Sequence, residues 1–192
     1  LPRVSHYRLA AHLSLAMLIY GSTFRLALRT LWPQQIAARP LGLLSTLMLG
    51  TVSATIVFGA FVAGLRAGLM YNTFPLMNGQ LVPDGIDALR PVWLNALENP
   101  VTVQFTHRGL ALTLLGVSGG LWLRWRREEL LPPQRRALDA IAGMALLQVS
   151  LGIATVLYRV PVALGTLHQG GAVLLLSAVL ALQHWSSRTT QA

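Results

Sequence analysis

Five apolar runs, each more than twenty residues long, organise the sequence. They cover about residues 7–31, 41–65, 100–123, 137–158 and 162–185, and the second contains no charged residue. A helix of such length crosses the ~30 Å hydrocarbon core of a bilayer. None of the runs carries the polar face of a soluble amphipathic helix, and single strands would cross with unpaired backbone groups. The pattern predicts an all-α membrane protein with five transmembrane helices. Proline punctuates it at Trp32-Pro33, Arg39-Pro40, Leu131-Pro132-Pro133 and Arg159-Val160-Pro161, where a helix interior would be broken. The connection between the second and third runs, residues 66–99, is much longer than the others. It contains MYNTFPLMNGQLVPD (70–84), whose Pro75, Asn78-Gly79 and Pro83 are turn formers.

Composition narrows the function classes. The chain has 192 residues, 54% hydrophobic and 11% charged, with mean hydropathy +0.56, against about 25% charged in a soluble domain. A soluble enzyme is excluded. The absence of cysteine removes disulfides, thiolate metal sites and a cysteine nucleophile. All fifteen basic residues are arginine and the net charge is +9. They sit between the apolar runs and form no stripe, which points to lipid head groups and topology and away from nucleic acid. One side holds nine: Arg25, Arg29, Arg39, Arg124, Arg126, Arg127, Arg135, Arg136 and Arg188. The other holds five: Arg3, Arg8, Arg66, Arg90 and Arg159. The positive-inside rule puts the first group, with the C-terminus, in the cytoplasm and the long loop outside. An outside N-terminus without a signal peptide, starting at Leu1, is the expectation for a piece of a larger protein.

Histidines carry the candidate chemistry. His6 and His184 lie near run ends, whereas His12, His107 and His168 lie within runs, where an ionisable group is costly and points to function. His107 follows Pro100 by seven residues and His168 follows Pro161 by seven. Both of those helices run inward, so the imidazoles share one depth and can face each other. Two neutral imidazoles from different helices can fill the axial positions of a haem iron. Gly165, Gly171 and Ala172 share the face of His168; they leave room for a flat macrocycle or serve plain helix packing. His12 has the same depth and is either a core histidine or a ligand whose partner lies elsewhere. Arg108 either snorkels outward or pairs with a ligand carboxylate such as a haem propionate, as Arg66 and Arg90 can. Zinc would need further ligands, with Glu98 alone at hand, and copper would need Met70 or Met77. Asp139 reads as a dipole partner at the start of the fourth run. No phosphate loop, paired intramembrane carboxylates or hydrolase triad is present.

The stretches RVSHYRLAAHL (3–13), TFPLMNGQLVPD (73–84), NPVTVQFTHRGLA (99–111) and LQVSLGIATVLYRVPVALGTLHQGGA (147–172) resemble haem A synthase, the membrane enzyme of cytochrome oxidase assembly. The PLMNG, THR and LHQ motifs together carry the likeness, in order along nearly the whole chain. That family has eight transmembrane helices in two pseudo-symmetric halves, and the resemblance implies that this chain is the fourth through eighth. Residues 1–40 would be the last helix of the N-terminal half with its connecting loop. Residues 41–192 would be a haem-binding four-helix bundle with its outer loop at about 66–99. The resemblance implies haem b on His107 and His168, with Arg108 beside it, and His12 on the iron of the substrate, haem O. The partner of His12, in an E-x-x-H-R motif, belongs to the second family helix, outside this chain, so no catalytic residue lies within it. The implied reaction is oxidation of a methyl group of haem O to a formyl group. The implied setting is the bacterial inner membrane, or alternatively the mitochondrial one, among lipids, with haem O synthase and an electron-transfer protein as partners. A haem b electron-transfer module without porphyrin chemistry is the alternative, and a proton-relaying transporter is a third.

Overall fold

A computed structural model describes residues 5–33 and 41–186. Arg3, Arg39, Pro40 and Arg188, used above for topology and breaks, lie outside the described residues. The described residues are helical, with α1 His6–Leu31, α2 Gly42–Gly64, α3 Asn95–Glu98, α4 Pro100–Trp125, α5 Pro132–Leu157 and α6 Val162–Ser186. Four of these, α1, α2, α5 and α6, are long and apolar enough to cross a membrane. The predicted fifth span, α4, has the length, 26 residues. Gln104, His107 and Arg108 in its first half and Arg124 near its end lower its hydropathy.

Local chemistry sets the helix ends. Asn99 caps α4 by accepting from the Val101 amide at 3.0 Å, with Pro100 in the first turn, where its missing N–H costs nothing. α5 starts at Pro132, a turn earlier than the apolar run suggests, because the same proline rule applies and Gln134 accepts from the Leu131 amide at 3.1 Å. Asp139 therefore lies two turns inside α5, and in place of a helix-dipole role it accepts from Trp122 Nε1 at 2.8 Å. Between α5 and α6 the backbone turns through left-handed Arg159 (φ 59°) and Val160 (φ 60°), a conformation β-branched residues resist.

α2 and α5 each pack against both α4 and α6, which closes a ring of four helices, and α1 lies outside the ring against α2 and α6. The ring neighbours run antiparallel. Thr46 near the start of α2 bonds Gln183 near the end of α6, and Trp122 near the end of α4 bonds Asp139 near the start of α5. Aliphatic side chains fill the ring at the end opposite the long loop, among them Met48, Val52, Leu114, Ile141, Leu176 and Val179. Gln134 ties α5 to the end of α6 through the Trp185 carbonyl at 3.0 Å.

α1 meets α2 where Gly64 faces His6. A Cβ at Gly64 would stand 2.6 Å from His6 Cβ and 2.7 Å from its Cα, so backbone would have to move. We expect Gly64→Ala to cost about 1–3 kcal/mol, read as a lower melting temperature of the detergent-purified protein. An unchanged melting temperature would show that α1 is free to shift.

Residues 66–99 form a folded cap. Asn78 and Gly79, both with positive φ, make the turn that pairs Met77 with Gln80, as the Asn-Gly pair anticipates. Met77 and Pro83 are buried beneath it. Asn72 donates to the Gly68 and Val156 carbonyls at 2.9 and 2.8 Å, which joins the cap to the end of α5. Asn95 and Asn99, both buried, bond each other at 2.8 Å and hold the Leu89, Val92 and Gly85 carbonyls.

Candidate cofactor site

α4 and α6 stand opposite each other in the ring, and each offers a histidine to its interior. The His107 and His168 rings have centroids 6.4 Å apart and planes crossed at 86°. An imidazole nitrogen sits about 2 Å from a bound metal, so two imidazoles sharing one metal in line place their ring centres about 6.3 Å apart. The spacing also lies within the range of an edge-to-face ring pair. His107 Nδ1 lies 3.1 Å from the Thr55 carbonyl; only a protonated Nδ1 bonds a carbonyl, so Nε2 carries the free lone pair. A ring nitrogen anchored on a backbone carbonyl is the usual arrangement behind a metal-bound histidine. His168 Nδ1 is buried without a hydrogen-bond partner, as are Gln104 Oε1 on α4 and Gln148 Oε1 on α5.

A Cβ added at Gly165, one turn before His168, would meet nothing within 4 Å. Gly171 takes the helix-packing side of the sequence reading. A Cβ there would come 2.8 Å from Gln148 Oε1, so Gly171 makes a notch for Gln148, whose amide donates to the His168 carbonyl at 2.9 Å. Among the described residues no group of three or more His, Asp or Glu side chains converges. The two imidazoles, with one lone pair each, fit a porphyrin iron, which brings its own four equatorial nitrogens.

Arg108 is placed beside this pair but points into the cap. Its guanidinium donates to the Tyr71 carbonyl at 2.7 Å and to the Thr73 carbonyl at 2.9 Å, and Gln104 adds a bond to Tyr71 at 3.1 Å. Sequence reasoning missed this clamp, because backbone carbonyls in a loop leave no residue signature. His12 is not brought to the pair. It is exposed on α1. From the His6–Gly64 contact, His12 lies about 9 Å along α1 and Gly59, which touches His107, about 7.5 Å back along α2. The two histidines are thus nearly level. At the loop end of α1, Tyr7 donates to Glu98 at 2.8 Å, which ties α1 to the helix just before α4. His184 is buried against Trp185.

The profile of the COX15-CtaA family, described as a cytochrome oxidase assembly protein, matches residues 1–180. The heme A synthase of Nitrosospira multiformis is 43% identical over 188 residues, which covers 95% of this chain and 53% of that protein. That of Rhodospirillum centenum is 47% identical over 179 residues, covering 90% and 47%. Heme A synthase COX15 of Arabidopsis thaliana is 41% identical over 194 residues, covering 95% and 42%. The chain thus spans about half the length of these relatives. No solved structure matches it. With the family profile matched along nearly its whole length, the chain belongs to the COX15-CtaA family of cytochrome oxidase assembly proteins.

Proposed function

We propose that this chain is the C-terminal part of a haem A synthase and holds haem b between His107 and His168. The observation that carries the reading is the facing pair of imidazoles at 6.4 Å inside the four-helix ring. Bound there, haem supplies one-electron redox chemistry. The residues of the chain do the rest. His107 and His168 bind the iron, the Thr55 carbonyl orients His107, and the cap over residues 72–79, fastened by Arg108, shields the outer end of the site. α4 is the fifth span, with His107 facing the ring interior, where such a residue belongs, and Arg108 reaching into the cap.

His12 is the second half of the proposal. An exposed imidazole within a span demands a partner, and we assign it to the iron of the substrate, haem O, with its other ligand on family helices outside this chain. Oxidising a methyl to a formyl group adds oxygen and releases electrons, so an electron-transfer partner is part of the reading, as is haem O synthase upstream. The division at residue 40, a bacterial inner membrane and a cytoplasmic C-terminus complete it.

The test is deletion of the encoding gene, followed by extraction of membrane haems. We expect haem A to disappear and haem O to accumulate. Unchanged haem A would contradict the enzyme reading and leave a haem-binding module without porphyrin chemistry.

A further inference from the structure

Each histidine of the pair rests on a glycine of the neighbouring helix, in the same way on both sides. A Cβ at Gly59 of α2 would stand 3.1 Å from His107 Cε1, and a Cβ at Gly152 of α5 would stand 3.1 Å from His168 Cε1. One turn before Gly59, the Thr55 carbonyl bonds His107 Nδ1 at 3.1 Å, whereas His168 Nδ1, beside Gly152, is buried without a hydrogen-bond partner. The parallel extends along both helices, since α2 and α5 each end on a left-handed arginine, Arg66 and Arg159, seven residues after the glycine.

We infer that Gly59 and Gly152 are paired positioning residues that hold the His107 and His168 ring planes crossed, and so set the electronic state of the iron between them. This rests on the proposed haem site. A ring whose Cε1 corner stands against a glycine has no freedom to turn toward that side, and on His107 the Thr55 carbonyl also holds Nδ1. Because the two glycines sit on helices that approach the site from different sides, the rings are locked at 86°. Crossed axial planes leave the two upper iron d orbitals of the low-spin set nearly equal in energy. Parallel planes split them. A side chain at either glycine must push the ring by a few tenths of an ångström or turn it.

The test is electron paramagnetic resonance of the oxidised, haem-loaded protein. Wild type is compared with Gly59→Ala and Gly152→Ala, each made alone. The controls are Gly50→Ala and Gly143→Ala on the same two helices, where a Cβ meets nothing within 4 Å. We expect wild type and both controls to give the strongly anisotropic signal dominated by one large g value. Each test variant should shift toward the three-line rhombic signal of more parallel rings, with a changed midpoint potential. A rhombic wild-type signal overturns the inference, as do test variants that match the controls. The glycines are tested separately, so if one variant does not fold the other decides. A wild-type protein without haem is a different failure, that of the haem reading itself.

Discussion

His107→Ala and His168→Ala are each expected to empty the haem site, with haem content of the purified protein falling by more than about a hundredfold in affinity terms, beyond the 10–100-fold typical of losing a partner that only supports a ligand. The argument is geometric. The ring interior offers two imidazoles at 6.4 Å, and among the described residues no third His, Asp or Glu converges with them. Neither histidine has a substitute. Alanine also removes a ring that fills the space between Gly59 and Gly152, so exogenous imidazole should restore binding in part. Pyridine haemochrome content measures the loss. A site that keeps its haem in both variants would show that the rings merely pack.

Arg108→Gln is expected to free the cap while leaving the helices intact. The guanidinium makes two charge-assisted bonds to the Tyr71 and Thr73 carbonyls, and bonds of that kind contribute about 1.5–3 kcal/mol each when well formed. Arg108 is partly exposed, so about 2–3 kcal/mol in total is a reasonable scale, and Gln104 still holds Tyr71 at 3.1 Å. A loss of that size raises the open population of the cap by about thirtyfold to a hundred-and-fiftyfold. Limited proteolysis within residues 70–84 reads this directly. Arg108→Lys should fall short of full rescue, because one ammonium does not reproduce the planar fork that spans two carbonyls. Unchanged cleavage in Arg108→Gln would mean that buried Met77 and Pro83 anchor the cap without it.

What was legible in the sequence follows from what leaves a local signal. The five apolar runs anticipate α1, α2, α4, α5 and α6, since burial from water and helix length are written in consecutive residues. Asn78-Gly79 and Pro100 each give their turn or helix start directly, through positive φ and a fixed ring. The common depth of His107 and His168 follows from equal distances to Pro100 and Pro161. Other features carry no such signal. Pro132 starts α5 before the apolar run begins, which moves Asp139 away from the helix end and onto Trp122. Arg108 suggests a carboxylate partner by its charge, yet its contacts are carbonyls contributed by residues 35 and 37 positions away. Gly59 and Gly152 look like any small residue in a membrane helix; only the fold shows an imidazole lying on each. Gly171 reads equally as room for a macrocycle or as a packing position, and only the fold shows that Gln148 of the neighbouring helix fills it.

α1 shows why half of the site was only partly readable. Its His12 is exposed, together with Leu15, Leu18, Ile19 and Leu26, and the relatives that match this chain are about twice as long. The Tyr7–Glu98 bond and the Gly64 crossing nonetheless fix α1 to the ring, which keeps His12 nearly level with His107.

The measurement that bears most directly on the central claim is a reduced-minus-oxidised visible spectrum of the wild-type protein purified in detergent from cells supplied with haem. Two imidazoles on one iron predict sharp low-spin b-type bands that appear on reduction and do not shift under carbon monoxide, because both axial positions are taken. A protein without haem bands, or with a broad high-spin spectrum that binds carbon monoxide, would contradict the assignment of His107 and His168 as a ligand pair.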